Sequence, residues 1–440
     1  MLFLSYTAFV IIAPLVILYA IGYRPQASSP IPRSVGVILA DAAPNGAQVS
    51  INSISYGSLP RSIPNIDPSV VHVQIAKDGY TPWEKQLEVK PTQATDIRSV
   101  QLLPSTFDTD SITRNSTQFE TSPNNLLIAN ATNKNTLAVY DDTGAMVIPE
   151  EKLAGRAIAI SWSPDSSHIL VTFSKNTYQL FQVNTSSLTK VPSKSLTGLT
   201  TIHWSPSAVN AIYALDKNRS LVSYTIATQR SETLLKNINI FTIAGRSLYY
   251  QTVENSLGVL QLRSKDDRIL VPDATKAVKK ISATGDGHVA LLGRDGELVI
   301  YTPKLERLTV SAFAQDMSWS PDDKLLLVQT APTELSIFNV DNERLFSIHL
   351  KDLHMVTRLS QPITNARWFP DSLHILYETN GALMFSEIDT RDHPIAQVID
   401  SNKAPGHLVF GDESKSIFYL QHKGKETNLV QTWLVTQEDR

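Results

Sequence analysis

The chain is 440 residues long, 42% hydrophobic and 18% charged, enough for two or three folded units with cores of their own. A formal charge of −3 gives no overall drive toward nucleic acid, and no nucleic-acid partner is expected. The absence of cysteine excludes a disulfide framework, a thiolate metal site and a cysteine nucleophile.

Leu2 to Tyr23 holds no charged residue. Roughly 20 apolar residues cross a bilayer as a helix, and Pro14 is tolerated there more readily than in water. A cleaved signal peptide would show an apolar region of about 7–15 residues after a basic segment. Here the run is longer and nothing basic precedes it, so residues 1–24 are expected to form an uncleaved transmembrane helix. The nearest basic residues, Arg24 and Arg33, follow the helix, which by the positive-inside rule argues for a cytoplasmic bulk. Residues 25–34, rich in Ser and Pro, read as a short extended linker.

From Val35 to Pro104, apolar and polar residues alternate between turn signals: Val49 and Ile51, then Val71, Val73 and Ile75, then Leu87 and Val89. Period-two alternation predicts half-buried antiparallel strands. Asn45-Gly46 and Asp78-Gly79 mark turns, because Gly accepts positive φ. Gly36 to Leu39, Pro44-Asn45-Gly46-Ala47-Gln48-Val49-Ser50-Ile51-Asn52, Gly57, Leu59-Pro60, Lys77-Asp78-Gly79-Tyr80 and Val100 to Pro104 together resemble the PEGA domain. That is a small β-module of bacterial surface and envelope proteins. Asn45 stands where the family name has Glu, and Leu59-Pro60 where Thr-Pro is usual. The resemblance covers residues 35–104 and implies a stalk or spacer rather than an enzyme.

Residues 105–440 carry a repeat. Ile160-Ser161-Trp162-Ser163-Pro164-Asp165, Ile202-His203-Trp204-Ser205-Pro206, Met317-Ser318-Trp319-Ser320-Pro321-Asp322 and Ala366-Arg367-Trp368-Phe369-Pro370-Asp371 share one pattern. Each leads into an apolar run, such as Ile169-Leu170-Val171 or Ile375-Leu376-Tyr377. A Trp-bearing strand, a tight turn set by Pro and Asp, and a second strand make a hairpin. Four degenerate copies begin near Phe119, Ile243, Ala283 and Val409. Recurrence at roughly 40 residues is the signature of propeller blades, which bury both faces only against their neighbours. Trp162, Trp204, Trp319 and Trp368 are therefore expected to pack between blades. The last copy ends on Val430 to Val435, one strand short, and a strand between Asp108 and Thr117 is expected to complete it and lock the ring.

The Trp-Ser-Pro-Asp turn resembles the TolB-like family of WD-type propellers, common in bacterial envelopes. It implies the fold and says little about function. The Gly-His and Trp-Asp dipeptides of eukaryotic WD repeats are absent from this register.

No Gly-x-Ser-x-Gly elbow, phosphate loop or calcium loop appears. The ten histidines are scattered, and His349 and His354 stand at a strand end and a loop. Asp141-Asp142, Asp266-Asp267 and Asp322-Asp323 fall in turns, where Asp serves the backbone. No catalytic, cofactor-binding or metal-binding residue is assigned. The expected fold is all-β: the helix, a small β-sandwich, and a propeller of eight (or seven) blades. The expected role is a single-pass membrane protein with its bulk extracytoplasmic, a choice the two resemblances favour against the charge signal. Its propeller would be a non-catalytic platform for an envelope protein or a cell-wall or surface glycan. The alternative is a propeller glycoside hydrolase or lyase with a site over the central channel. A cytoplasm-facing scaffold, supported by Arg24 and Arg33, is the third reading.

Overall fold

The computed structural model describes residues 2–20, 22–26, 29–206, 211–341, 345–346 and 348–440. Met1 and Ile21 of the expected span, and Ala27 and Ser28 of the expected linker, lie outside the described residues. The chain divides into two units. The first comprises residues 1–107, 389–395 and 434–440; the second comprises 108–388 and 396–433.

In the first unit, helix α1 (Leu2–Ala20) is 19 residues long and contains Pro14. Phe9, Ile12, Leu15 and Ile17 are among its exposed side chains. Among the described residues no helix is long and apolar enough to cross a membrane, so the span expected over Leu2 to Tyr23 is not shown. The helix stops early for a local reason. Gly22 turns the chain with φ +97°, and Tyr23–Gln26 pairs with Ser29–Ser34 as an antiparallel hairpin. The expected linker therefore contains a paired strand. Arg24, which the sequence offers as a topology signal, closes the helix instead. Its guanidinium donates to the Tyr19 carbonyl at 2.5 Å and lies over the Tyr19 ring, where a cation complements the helix C-terminus. Arg33 pairs with Asp67 at 2.9 Å.

Two sheets follow. One is four-stranded and antiparallel, ordered Ile54–Ser58, Gln48–Ile51, Ser69–Ala76, Trp83–Val89; the other is ordered Arg61–Ile66, Gly36–Ala43, Ala94–Gln101. Trp83–Val89 shows strict alternation of buried and exposed residues, as a strand with one face on a core must. Val49, Val73, Ile75, Leu87, Ile38 and Ile97 meet between the sheets. One pair departs from the antiparallel expectation: Gly36–Ala43 and Ala94–Gln101 run parallel.

Segments distant in sequence complete this unit. The Lys85 side chain has no exposed surface, and its ammonium donates to the Asp389 carbonyl at 2.6 Å. It also lies 3.7 Å from the Asp389 carboxylate, which Arg391 holds at 2.7 Å. Arg391 in turn donates to the Asp96 carbonyl at 2.7 Å, and the Asp392 carboxylate accepts the Gln86 amide at 2.9 Å. From the C-terminal segment, Asp439 accepts the Tyr80 hydroxyl at 2.6 Å and pairs with Lys77.

The second unit contains eight four-stranded antiparallel sheets among the described residues. Blades one to seven occupy residues 116–152, 159–191, 200–235, 238–271, 278–311, 316–358 and 363–400, each adding strands outward in chain order. Blade eight takes Lys403–Phe410, Ser416–Lys423 and Glu426–Trp433, then Thr109–Thr113 as its outermost strand. Thr109 lies opposite Thr432, Asp110 opposite Gln431 and Ser111 opposite Val430. The Asp110 carboxylate accepts the Trp433 indole N–H at 3.1 Å, and the hydroxyls of Thr109 and Thr432 are 2.8 Å apart.

Apolar side chains of adjacent blades interleave. Leu137 and Val139 of blade one meet Ile169 and Phe181 of blade two, and Ala290 and Ile300 of blade five meet Leu326 and Phe338 of blade six. Phe119 and Ile128 of blade one meet Phe418 and Leu429 of blade eight, which closes the circle. Between blades seven and eight the contact is aromatic, with Phe369 edge-on to Phe410 at 5.4 Å. Antiparallel order puts inner-to-second and third-to-fourth turns at one end of every blade. The second-to-third turns and the links between blades gather at the other end.

Candidate functional site: the inner strands

Each Trp of the repeat sits at the end of an inner strand and reaches back to the preceding blade. The Trp162 indole donates to the Glu120 carbonyl at 2.9 Å, Trp204 to the Ser161 hydroxyl at 3.1 Å, and Trp368 to the Ser318 carbonyl at 3.0 Å. Trp162 and Trp368 are buried; Trp204 and Trp319 are half-buried. Trp319 packs among blades five and six, but its indole nitrogen is buried with no hydrogen-bond partner. An orphaned donor costs about 1–3 kcal/mol, and a made bond contributes about 1. Trp319→Phe is therefore expected to destabilise by roughly 2–4 kcal/mol less than Trp162→Phe or Trp368→Phe, read from denaturant midpoints.

The Ser-Pro-Asp turns are staples. Ser163 donates to Asp165 at 2.6 Å and accepts the His168 amide at 2.8 Å; Ser320 donates to Asp322 at 2.6 Å and accepts the Leu325 amide at 2.9 Å. Degenerate copies keep the device. Ser122 works with Asn124 and the Leu127 amide, and Thr284 with Asp286 and the His288 amide. Where Phe369 replaces the serine, the Asp371 carboxylate meets the His374 ring at 2.6 Å. Burial opposes ionisation of Asp165, yet hydroxyl bonds from Ser163 and Ser167 hold its carboxyl below the ordinary range. Asp371 is likewise held low against burial, by His374 and backbone amides. The motif's hydroxyls and carboxylates are thus engaged in backbone geometry.

Charged side chains from three blades meet only where the ring closes, among the described residues. Glu120 of blade one pairs with His407 of blade eight at 3.0 Å. Arg367 of blade seven donates to the Leu408 carbonyl. Burial pushes its guanidinium down, while Glu378 and Glu120 pull it back. Lys403 of blade eight has a fully buried side chain. It pairs with Glu378 at 3.0 Å and donates to the Ala404 carbonyl at 2.6 Å. Burial likewise lowers Lys403, against the pull of Glu378. Bulges interrupt the inner strands of blades seven and eight, at Thr364/Arg367 and Lys403/Leu408, and re-aim these side chains. Glu120 also borders a shallow cleft of about 370 Å³ with Thr121, Ser122, Pro123, Asn125, Ser161 and Trp162.

Chemically, the Glu120–His407 pair sets a carboxylate beside a ring nitrogen. The guanidinium nearby and the open polar cleft suit an anion or a hydrogen-bonding group. Glycoside hydrolysis needs more, namely a carboxyl kept protonated near neutral pH. The carboxyls whose titration is displaced, including Asp165, Asp286, Glu334 and Asp371, all move toward the charged form. No group of three or more His, Asp or Glu that would hold a metal occurs among the described residues.

Sequence reading took the four Trp residues and passed over this seam. One signal was available. The residue before Trp is Ser161, His203 or Ser318 in three copies and Arg367 in the fourth. His203 is half-buried, lies edge-on to Phe241 at 5.1 Å and is pushed down by desolvation. Arg367 is the one charged member of the set.

Residues 35–102 match the PEGA domain. The match agrees with the two-sheet unit described above. The second unit is a β-propeller, and solved propellers resemble it. The chain superposes on the C-terminal WD40 domain of Sif2 with a TM-score of 0.53 at 11% identity, covering 74% of this chain and 98% of that one. Sqt1 of Saccharomyces cerevisiae gives a TM-score of 0.53 at 10% identity, covering 76% and 98%. The computationally designed Ika8 protein gives 0.50 at 11% identity, covering 73% and 96%. At such identities the likeness concerns the fold alone. No curated protein matches the chain in sequence.

Proposed function

We propose that this chain is a membrane-attached cell-envelope protein whose propeller is a non-catalytic platform for a protein or a polysaccharide. The observation carrying this reading is the use of the repeat residues. Trp indoles tie blade to blade and Ser-Asp pairs staple turns, so the loop ends of the blades are left to meet a partner. The PEGA match supports an envelope setting, and the exposed apolar side chains of α1 support attachment to a lipid surface.

Cells making the full chain with a tag after Arg440 provide the test. The tag is expected in the alkali-washed membrane fraction and is expected to be lost when protease is added outside intact cells. Deleting residues 2–20 is expected to release it into the soluble fraction. A tag that resists protease until lysis places the bulk inside the cell and overturns the extracytoplasmic reading.

A further inference from the structure

The chain's formal charge is −3, yet exposed cations recur around one end of the propeller. The end that gathers the second-to-third turns and the inter-blade links holds an excess of cations, with Asp216, Glu254, Asp273 and Asp295 among them. Lys134, Lys175, Lys217, Arg294 and Lys423 sit on those turns in blades one, two, three, five and eight, all exposed. The links add Arg156, Lys236 and Lys276, also exposed. Among the described residues none of these eight has an ion-pair partner, whereas at the same end Lys280 and Arg358 are matched by Asp316 and Glu334. The opposite end carries the staple carboxylates Asp165, Asp286, Asp322 and Asp371. The unmatched cations run through the consecutive blades eight, one, two, three, four and five; blades six and seven contribute none of them. They form an arc.

We infer that this arc binds an anionic polysaccharide, a linear chain of sugar carboxylates laid across the loop end of the propeller. The inference rests on the platform reading above and names its ligand class. Cations spread over the turns and links of adjoining blades match a polymer of repeating charge better than one small anion. Most of them are Lys, a point charge, rather than Arg, whose fork selects planar phosphate or carboxylate geometry. Asn135, Asn176, Asn218 and Asn237 stand beside the cations and offer amides to sugar hydroxyls. Single-stranded nucleic acid asks for aromatic stacking platforms. Among the described residues the one large exposed aromatic at this end, Phe313, lies on the link between blades five and six, at the edge of the arc. A bilayer asks for clustered apolar side chains, and the arc exposes only Ile158 and Val253, on blades two and four.

The test uses the full chain in neutral detergent over immobilised polygalacturonate. Neutral dextran, oligo-dT and phosphatidylglycerol nanodiscs serve as comparison surfaces. Binding to polygalacturonate is expected to weaken steadily with added salt, as counterion release requires. The triple variant K134Q/K217Q/K423Q is expected to lose about tenfold in affinity with a shallower salt dependence. R246Q/R263Q/K304Q, at the opposite end, is expected to change little. Equal unfolding midpoints for the variants show that the fold is kept. Absent or salt-insensitive binding, an unaffected triple variant, or tighter binding to oligo-dT or nanodiscs overturns the assignment. If polygalacturonate is ignored while the tagged chain remains membrane-bound and protease-accessible, only the ligand class fails. If the chain proves cytoplasmic, the platform's setting fails with it.

Discussion

Replacing Lys403 by Met is expected to destabilise the propeller by about 3–5 kcal/mol, because it takes from a nearly buried carboxylate its directly paired cation and leaves it only the more distant Arg367. Glu378 is 11% exposed, and Lys403 is the cation within 3.0 Å of it. Lys403 belongs to the inner strand of blade eight and Glu378 to the second strand of blade seven, so the pair spans the joint beside the ring closure. The double variant K403M/E378Q removes both charges together and is expected to recover more than half of the loss. Guanidinium unfolding of the two variants reads the difference directly. A single variant no weaker than the double would show that Glu378 finds water or another cation when Lys403 is gone.

The second large effect concerns the first unit. Asp389→Ala removes the carboxylate that lies between the fully buried Lys85 ammonium and Arg391. A loss of about 3–5 kcal/mol is expected, confined to this unit. Limited proteolysis is the suitable readout, with cleavage of residues 35–104 accelerated and the propeller intact. Residues 1–107 made alone are expected to behave worse still, since they lack residues 389–395 and 434–440 altogether. Lys85→Met in that fragment is expected to restore part of its resistance, by removing a buried charge that has lost the Asp389 carboxylate and carbonyl. A fragment that resists protease as the full chain does would show that Lys85 reaches solvent without those segments.

These two sites also show what sequence conveys and what it does not. The hairpins around Trp162, Trp204, Trp319 and Trp368 are legible because every piece of information lies within about ten residues: strand, turn chemistry and following strand. The closing strand is legible by subtraction, since the last copy ends one strand short, and Thr109–Thr113 supplies it. The parallel pairing of Gly36–Ala43 with Ala94–Gln101 is not legible, because alternation at period two is the same for either direction. Nor is the end of α1, which depends on the hairpin from Tyr23 pairing with Ser34. The composite first unit is hidden for a different reason. Lys85 and the Asp389 carbonyl are 304 positions apart, and a lone Lys on an alternating strand looks like any solvent-facing residue. The seam at Arg367, Glu120 and His407 shares that difficulty, because its members come from three separate repeats.

Strand exchange at the closure also sets a schedule for biosynthesis. Asp110 emerges from the ribosome long before its partner Trp433, 323 positions later, and at roughly 5–20 residues per second the interval is about 15–60 s. For that time the propeller's own first strand is an unpaired edge, and each finished blade shows one raw apolar flank to the surroundings. A holding chaperone, or delivery of the chain before it folds, is what such an interval demands. The finished circle then has no loose end from which unfolding can begin.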